Sequence, residues 1–157
     1  MGCLIRCLLA ACVLLFWPAC LTAQPGLPLK NLQLTSAYGN RIHPVTGIYG
    51  FHTGVDLRAR GDTVYAVLPG VVEAEGFDPR LGIFIQLRNA DFQTVYGHLS
   101  RLFVFKGDTV TSETKLGITG STGRVTGEHL HFEVRFQGTP IDPLAFLMAL
   151  YKRINNN

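Results

Sequence analysis

The chain has 157 residues, a formal net charge of +3 and four cysteines. That length supports one domain with its own core and is too short to expect two. The slight positive balance contains no lysine- or arginine-rich block, which excludes a nucleic-acid-binding surface and fits ordinary solubility or a mild attraction to an anionic envelope polymer.

Met1 to Arg6 forms a short positive start, and Cys7 to Trp17 is an almost unbroken apolar run followed by Pro18 and small residues near Ala23. The run is too short to cross a bilayer and stay, so residues 1–23 are expected to be a secretory signal peptide cut after Ala23. Cys3, Cys7, Cys12 and Cys20 all fall in this leader. The exported chain is therefore expected to lack disulfides and thiolate ligands and to be held by its core and a metal. A rival reading makes a leader cysteine a lipid anchor. Trp17-Pro18-Ala19 before Cys20 is a poor lipobox, however, and Leu9-Ala10-Ala11-Cys12 matches better but has apolar sequence still to follow. The expected location is outside the cytoplasm, in the periplasm or cell envelope, with no transmembrane span in the mature form.

Residues 24–29 read as a short linker and residues 30–151 as the folded domain. Thr63 to Val67 and Val71 to Glu75 flank a turn at Leu68-Pro69-Gly70, and Ile83 to Leu87 pairs antiparallel with Thr94 to Tyr96 across Asn89-Ala90-Asp91. From His129 to Phe136 the chain alternates: Leu130, Phe132, Val134 and Phe136 form one face, expected to be core, and His129, His131, Glu133 and Arg135 form a polar face. One helix is expected, capped by Asp142 with Pro143 at its first position and with Leu144, Phe146, Leu147, Leu150 and Tyr151 facing the domain. Residues 152–157 read as a frayed tail. The fold class is mainly β: a single compact antiparallel β-sheet domain with an open groove and a short C-terminal helix.

The histidines carry the chemistry. His129 and His131 stand two apart on a strand and point to one face, and His52-Thr53-Gly54-Val55-Asp56 supplies a further imidazole and a carboxylate. Two neutral imidazoles and one carboxylate leave an open fourth position on a tetrahedral zinc ion, as hydrolytic zinc sites require. Each piece alone has a plainer explanation, since histidine is common at half-buried strand positions and His98 follows Tyr96-Gly97 at the end of a strand. Thr53-Gly54-Val55 is a poor helix interior, so the His-to-Asp spacing belongs to a strand end or loop.

Together, the ordered blocks resemble those of the LytM/lysostaphin-type zinc endopeptidases, which cut cross-bridge or stem peptides of peptidoglycan. The blocks are Ser36 to Arg41, His52 to Asp56, Gly61 to Ala66, Gly70 to Val72, Tyr96 to Ser100, Lys106 to Val110, Gly120 to Gly123 and His129 to Glu133, and the resemblance spans roughly Leu34 to Leu147. It implies one Zn2+ ion on the groove floor, held by His52, Asp56 and His131, with His98 and His129 as the unligated catalytic pair. His129 is then expected as the general base and His98 as the oxyanion stabiliser. His43 reads as structural or groove-lining, and Tyr38, Tyr49 and Tyr96 as packing or substrate contacts. Glu133 reads as a hydrogen-bond partner of a ligand or a surface ion pair. The chain departs from the family pattern where Ile83 to Arg88 lacks a following histidine-glycine, where Ser112 to Lys115 replaces a Lys-Gly-Gln turn, and at Glu128, a position often proline or small.

The expected substrate is a peptidoglycan peptide, with an envelope partner protein controlling delivery. The alternatives are a non-catalytic LytM-like activator and a structural component of an envelope-spanning assembly; retention of all five chemical positions counts against the activator.

Overall fold

The computed structural model describes residues 25–42 and 47–156; the expected signal peptide and His43 lie outside them. The strands, in chain order, are β1 (Leu34–Ser36), β2 (Gly39–Ile42), β3 (Tyr49–His52), β4 (Val55–Arg58), β5 (Thr63–Tyr65), β6 (Gly70–Asp78), β7 (Gly82–Asn89), β8 (Phe92–Leu102), β9 (Thr109–Val110), β10 (Lys115–Thr119), β11 (His129–Phe136) and β12 (Thr139–Ile141). Helix α1 (Pro143–Asn155) ends the fold. The main sheet runs β1-β4-β11-β8-β7-β6-β9, with β12 added to β11 and β10 bridging β8 and β5, while β2 and β3 form a separate hairpin.

Every pairing is antiparallel, as the alternating runs led us to expect. The strands flanking Leu68-Pro69-Gly70 both form but do not pair with each other: β5 goes to β10 and β6 goes to β7 and β9. The expected pairing of β7 with β8 is present, turning through Ala90 at φ 47°.

The core gathers the inward faces of these strands: Val55 and Leu57 from β4, Ile85 and Leu87 from β7, Tyr96 and Leu99 from β8, and Leu130, Phe132 and Val134 from β11. Removing such side chains from water is the main favourable term, about 1.5–3 kcal/mol for each large aliphatic or aromatic group. Phe136 departs from its expected place. It is 41% exposed and lies against Phe92, because β11 runs out past the edge of the core there.

Two boundaries are also revised. Residues 25–29 pack against the domain: Gly26 N donates to Val67 O at 2.8 Å, Pro28 O accepts from Tyr65 N at 3.0 Å, and Leu29 is 2% exposed. Helix α1 continues to Asn155 instead of fraying after 151, with Lys152 and Arg153 in its last turn, where they complement the helix dipole. Its start is as read, with Asp142 accepting from Leu144 N and Ala145 N. Leu147 is buried, but Tyr151 is 67% exposed, since the helix has passed the sheet by then.

Tyr96 is a core residue and not a substrate contact. Its hydroxyl accepts from Val67 N at 3.0 Å, and burial pushes its pKa up to about 12. Tyr96→Phe leaves the buried Val67 amide unpaired and is expected to lower the unfolding free energy by about 1–3 kcal/mol in urea titration.

Candidate metal centre

The centre is set by register. Strands β4 and β11 pair so that His131 lies opposite Asp56, with His129 opposite Arg58 on the same face. His52 closes β3, and the two-residue bend at Thr53-Gly54 turns the chain straight into β4. Gly54 makes that bend fit, because a Cβ there would stand 2.5 Å from Phe132 O and 2.8 Å from His131 Cε1.

His52, Asp56 and His131 thereby form a group able to hold a metal ion. His52 Nε2, Asp56 Oδ1 and His131 Nδ1 lie 3.2, 3.1 and 3.2 Å apart pairwise. Tetrahedral zinc with ligand bonds of about 2.0–2.1 Å needs donors roughly 3.3 Å apart, so this triangle fits the ion. The tautomers fit as well. His52 Nδ1–H donates to Ala37 O at 2.8 Å, which leaves Nε2 as a lone pair facing the triangle.

His131 Nε2 is buried without a hydrogen-bond partner, and the nearest acceptor is Glu133 Oε2 at 3.6 Å. Glu133 is not a surface residue: it is 1% exposed, accepts from Thr53 Oγ1 at 3.1 Å and pairs with Arg135 Nε at 2.6 Å. Burial would raise the Glu133 carboxyl, but His131 and Arg135 bring it below its ordinary value. Burial likewise opposes charge on His131, and the flanking carboxylates Asp56 and Glu133 outweigh it and raise its pKa. At Asp56, burial is outweighed by the surrounding imidazoles of His129, His131 and His52, which hold the carboxyl far below the usual range. Arg41 Nη2 donates to the outer oxygen, Asp56 Oδ2, at 3.4 Å.

His98 and His129 stand beside the triangle, their rings 4.7 Å apart, with His129 Nε2 3.5 Å from Asp56 Oδ1. His98 owes its position to a bulge in β8. Residues up to Gly97 pair with β11, residues from Leu99 pair with β10, and His98 makes the changeover at φ 60°. A left-handed conformation is costly for a residue with a Cβ, and a clasp holds it. His98 N donates to Leu81 O at 2.6 Å and His98 Nδ1–H donates to Thr122 O at 2.8 Å. The Thr122 hydroxyl accepts from Ile83 N at 2.9 Å and donates to Leu99 O at 2.8 Å. Gly82 and Gly123, both at positive φ, lie so close that neither has room for a side chain. Burial lowers the His98 pKa to about 4, so its ring is neutral near pH 7.

All of these groups open on one groove of about 370 Å³, bordered also by Arg41, Arg80, Leu81 and Arg124. Of the polar face of β11, His129 and His131 line the groove, while Glu133 on the same face is buried behind it. Of the other tyrosines, Tyr38 packs edge-on against Phe51 and donates to Pro140 O, and Tyr49 is exposed on the β2–β3 hairpin. Glu128 binds the Gly61 amide and the Thr119 hydroxyl, fixing the entry to β11. Sequence reasoning left Arg41, Gly54, Leu81 and Thr122 unassigned. Arg41, Gly54 and Thr122 fell in blocks that carried a signal and Leu81 did not, but the partners that give them their parts are distant in sequence.

Glu133→Gln keeps the shape of this carboxylate and removes its charge behind His131. It is expected to weaken divalent-metal affinity about 10- to 100-fold, read by competition with a chromophoric chelator.

Residues 50–143 match peptidase family M23. Over 120 residues the chain is 37% identical to the DD-carboxypeptidase/endopeptidase Mpg of Neisseria meningitidis, covering 75% of this chain and 28% of that protein. Over 128 residues it is 35% identical to the peptidoglycan DD-endopeptidase ShyB of Vibrio cholerae, covering 80% of this chain and 30% of that protein. The fold matches the crystal structure of a zinc containing peptidase from Vibrio cholerae with a TM-score of 0.71 and 36% identity, covering 76% of this chain and 39% of that one. The chain thus spans less than a third of the length of the two curated relatives. The matched segment contains His52, Asp56, His98, His129 and His131, and with these likenesses it makes the chain a member of peptidase family M23, as the resemblance to the LytM/lysostaphin type implied.

Proposed function

We propose that this chain is a zinc-dependent endopeptidase that hydrolyses peptide bonds in peptidoglycan stem or cross-link peptides outside the cytoplasmic membrane. The observation that carries the reading is the convergence of a three-donor metal triangle and two imidazoles with free Nε2 atoms on one groove. The relatives add the substrate class, since ShyB is a peptidoglycan DD-endopeptidase and Mpg a DD-carboxypeptidase/endopeptidase.

His52, Asp56 and His131 would hold the ion, and a zinc ion so held supplies Lewis acidity that polarises a peptide carbonyl and acidifies water. The remaining work falls to the protein. His129 Nδ1–H donates to Gly127 O at 2.8 Å, so its Nε2 is a proton acceptor facing the groove. That suits a general base, which takes a proton from the attacking water and returns it to the leaving amine. The Asp56 carboxylate lies 3.5 Å from that Nε2.

His98 is tied to Thr122 O through Nδ1, so its resting Nε2 is also an acceptor. It has no hydrogen to offer an oxyanion until it is protonated, and burial resists that protonation. We therefore revise the part expected of it: His98 receives a hydrogen bond from water or from a substrate N–H and orients that group. Delivery by an envelope partner supplies the control that such a hydrolase needs. A chain that stays monomeric and unaccompanied in pulldowns from cell envelopes would sink that part of the reading.

Digestion of purified muropeptides, followed by mass spectrometry, tests the activity. The zinc-loaded chain is expected to cleave, chelation to abolish cleavage and added zinc to restore it. His129→Ala is expected to lose about 10²–10⁴-fold in kcat with the metal still bound. No cleavage by a chain shown to hold one zinc would favour the activator. The clasp gives a second test. Thr122→Val is expected to lower kcat more than it raises KM by releasing His98, whereas Thr122→Ser retains the hydroxyl and recovers most of the rate.

A further inference from the structure

The groove is unbalanced in charge. Its border carries three guanidinium groups, from Arg41, Arg80 and Arg124, and one carboxylate, Asp56. Asp56 is already engaged by three imidazoles and by Arg41. Arg80 and Arg124 are different. Among the described residues no carboxylate lies within ion-pair distance of either. The acid nearest Arg80 in sequence, Asp78, turns Oδ1 to the backbone amides of Arg80 and Leu81 at 2.8 and 2.9 Å.

These two arginines are also held together. Arg124 N donates to Arg80 O at 3.2 Å, and the segments carrying them are locked by the contacts of Gly82 with Thr122 and of Gly123 with Gly82. The same clasp fixes His98. The backbone that carries this cationic edge is therefore fixed beside the catalytic imidazoles, while both guanidinium groups are exposed and open to a ligand. A guanidinium donates through a planar fork that matches a carboxylate, and two carried on one fixed stretch of backbone can address the same ligand.

We propose that Arg80 and Arg124 form a carboxylate-recognition edge that selects acidic peptides, placing a free substrate carboxylate next to the bond to be cut. This rests on the endopeptidase reading and narrows its substrate class: peptides with free carboxylates are preferred to the same peptides as carboxamides.

Binding tests it separately from hydrolysis. Zinc-loaded His129→Ala chain is titrated by calorimetry with a muropeptide whose peptide carboxylates are free, and with the same muropeptide converted to its carboxamides. The acidic form is expected to bind roughly fivefold or more tightly. In the Arg80→Gln/Arg124→Gln background the gap closes. In Lys152→Gln/Arg153→Gln, which removes the same charge at the far end of α1, the gap remains. Equal affinity for the two forms, binding of neither, or a gap that survives in the Arg80→Gln/Arg124→Gln chain overturns the proposal; the last outcome would assign the preference to the metal. Cleavage by the parent chain is followed in parallel. A gap with the expected arginine dependence but no cleavage would sink the hydrolase reading and leave the recognition edge standing, and cleavage of both forms without a gap would do the reverse.

Discussion

The pairing of β4 with β11 is the constraint on which the site depends. Side chains alternate along both strands, so the register that sets Asp56 opposite His131 decides which face the carboxylate and imidazole share. A shift of one residue would turn His129, His131 and Glu133 into the core and bring Leu130, Phe132 and Val134 to the groove. The buried apolar face therefore enforces the polar one, and the hydrophobic effect indirectly positions the group able to hold a metal. Gly54 completes the arrangement by allowing the bend after His52 to lie against the His131 ring, so the third donor arrives with almost no intervening chain.

Around this frame, backbone carbonyls set the chemistry of the histidines. The carbonyls of Ala37, Thr122 and Gly127 each accept a hydrogen bond from an Nδ1–H, leaving His52, His98 and His129 with Nε2 as a lone pair. His131 is reversed: its Nδ1 faces the donor triangle and its Nε2 faces Glu133. Three of the four rings are thus given their tautomers by carbonyls fixed in the fold. The arrangement explains why a carboxylate can sit at the bottom of β11 almost without solvent, since it has a threonine, an arginine and an imidazole around it.

Much of this was legible in the chain. The alternation from His129 to Phe136, the cap at Asp142-Pro143 and the β7–β8 pairing are local patterns, and local patterns carry their own periodicity and turn chemistry. The failures are those of context. The pairing partners of β5 and β6 depend on strands far along the chain, so a turn at Leu68-Pro69-Gly70 looked like a hairpin. Residues 25–29 read as a linker because proline and glycine mark loops, and nothing in their composition reveals that Leu29 fills the core. At the site, the motif blocks carried the titratable residues, but Gly54, Leu81 and Thr122 act through backbone contacts, which residue type does not announce. The tautomer of His98 was also beyond reach, since it is dictated by a carbonyl twenty-four positions away.

The clasp between the segments around Gly82 and Gly123 has a consequence for how such a groove diversifies. The same few residues place an imidazole and a cation: Thr122 aligns His98, and Arg124, two positions on, presents a guanidinium at the groove border. A loop transplanted into one of these segments would carry a foreign preference but would meet the wrong partner in the other. The two segments are therefore one structural unit, and to change what the groove accepts without losing the imidazole's alignment both must be exchanged together, with the spacing between Thr122 and Arg124 held fixed.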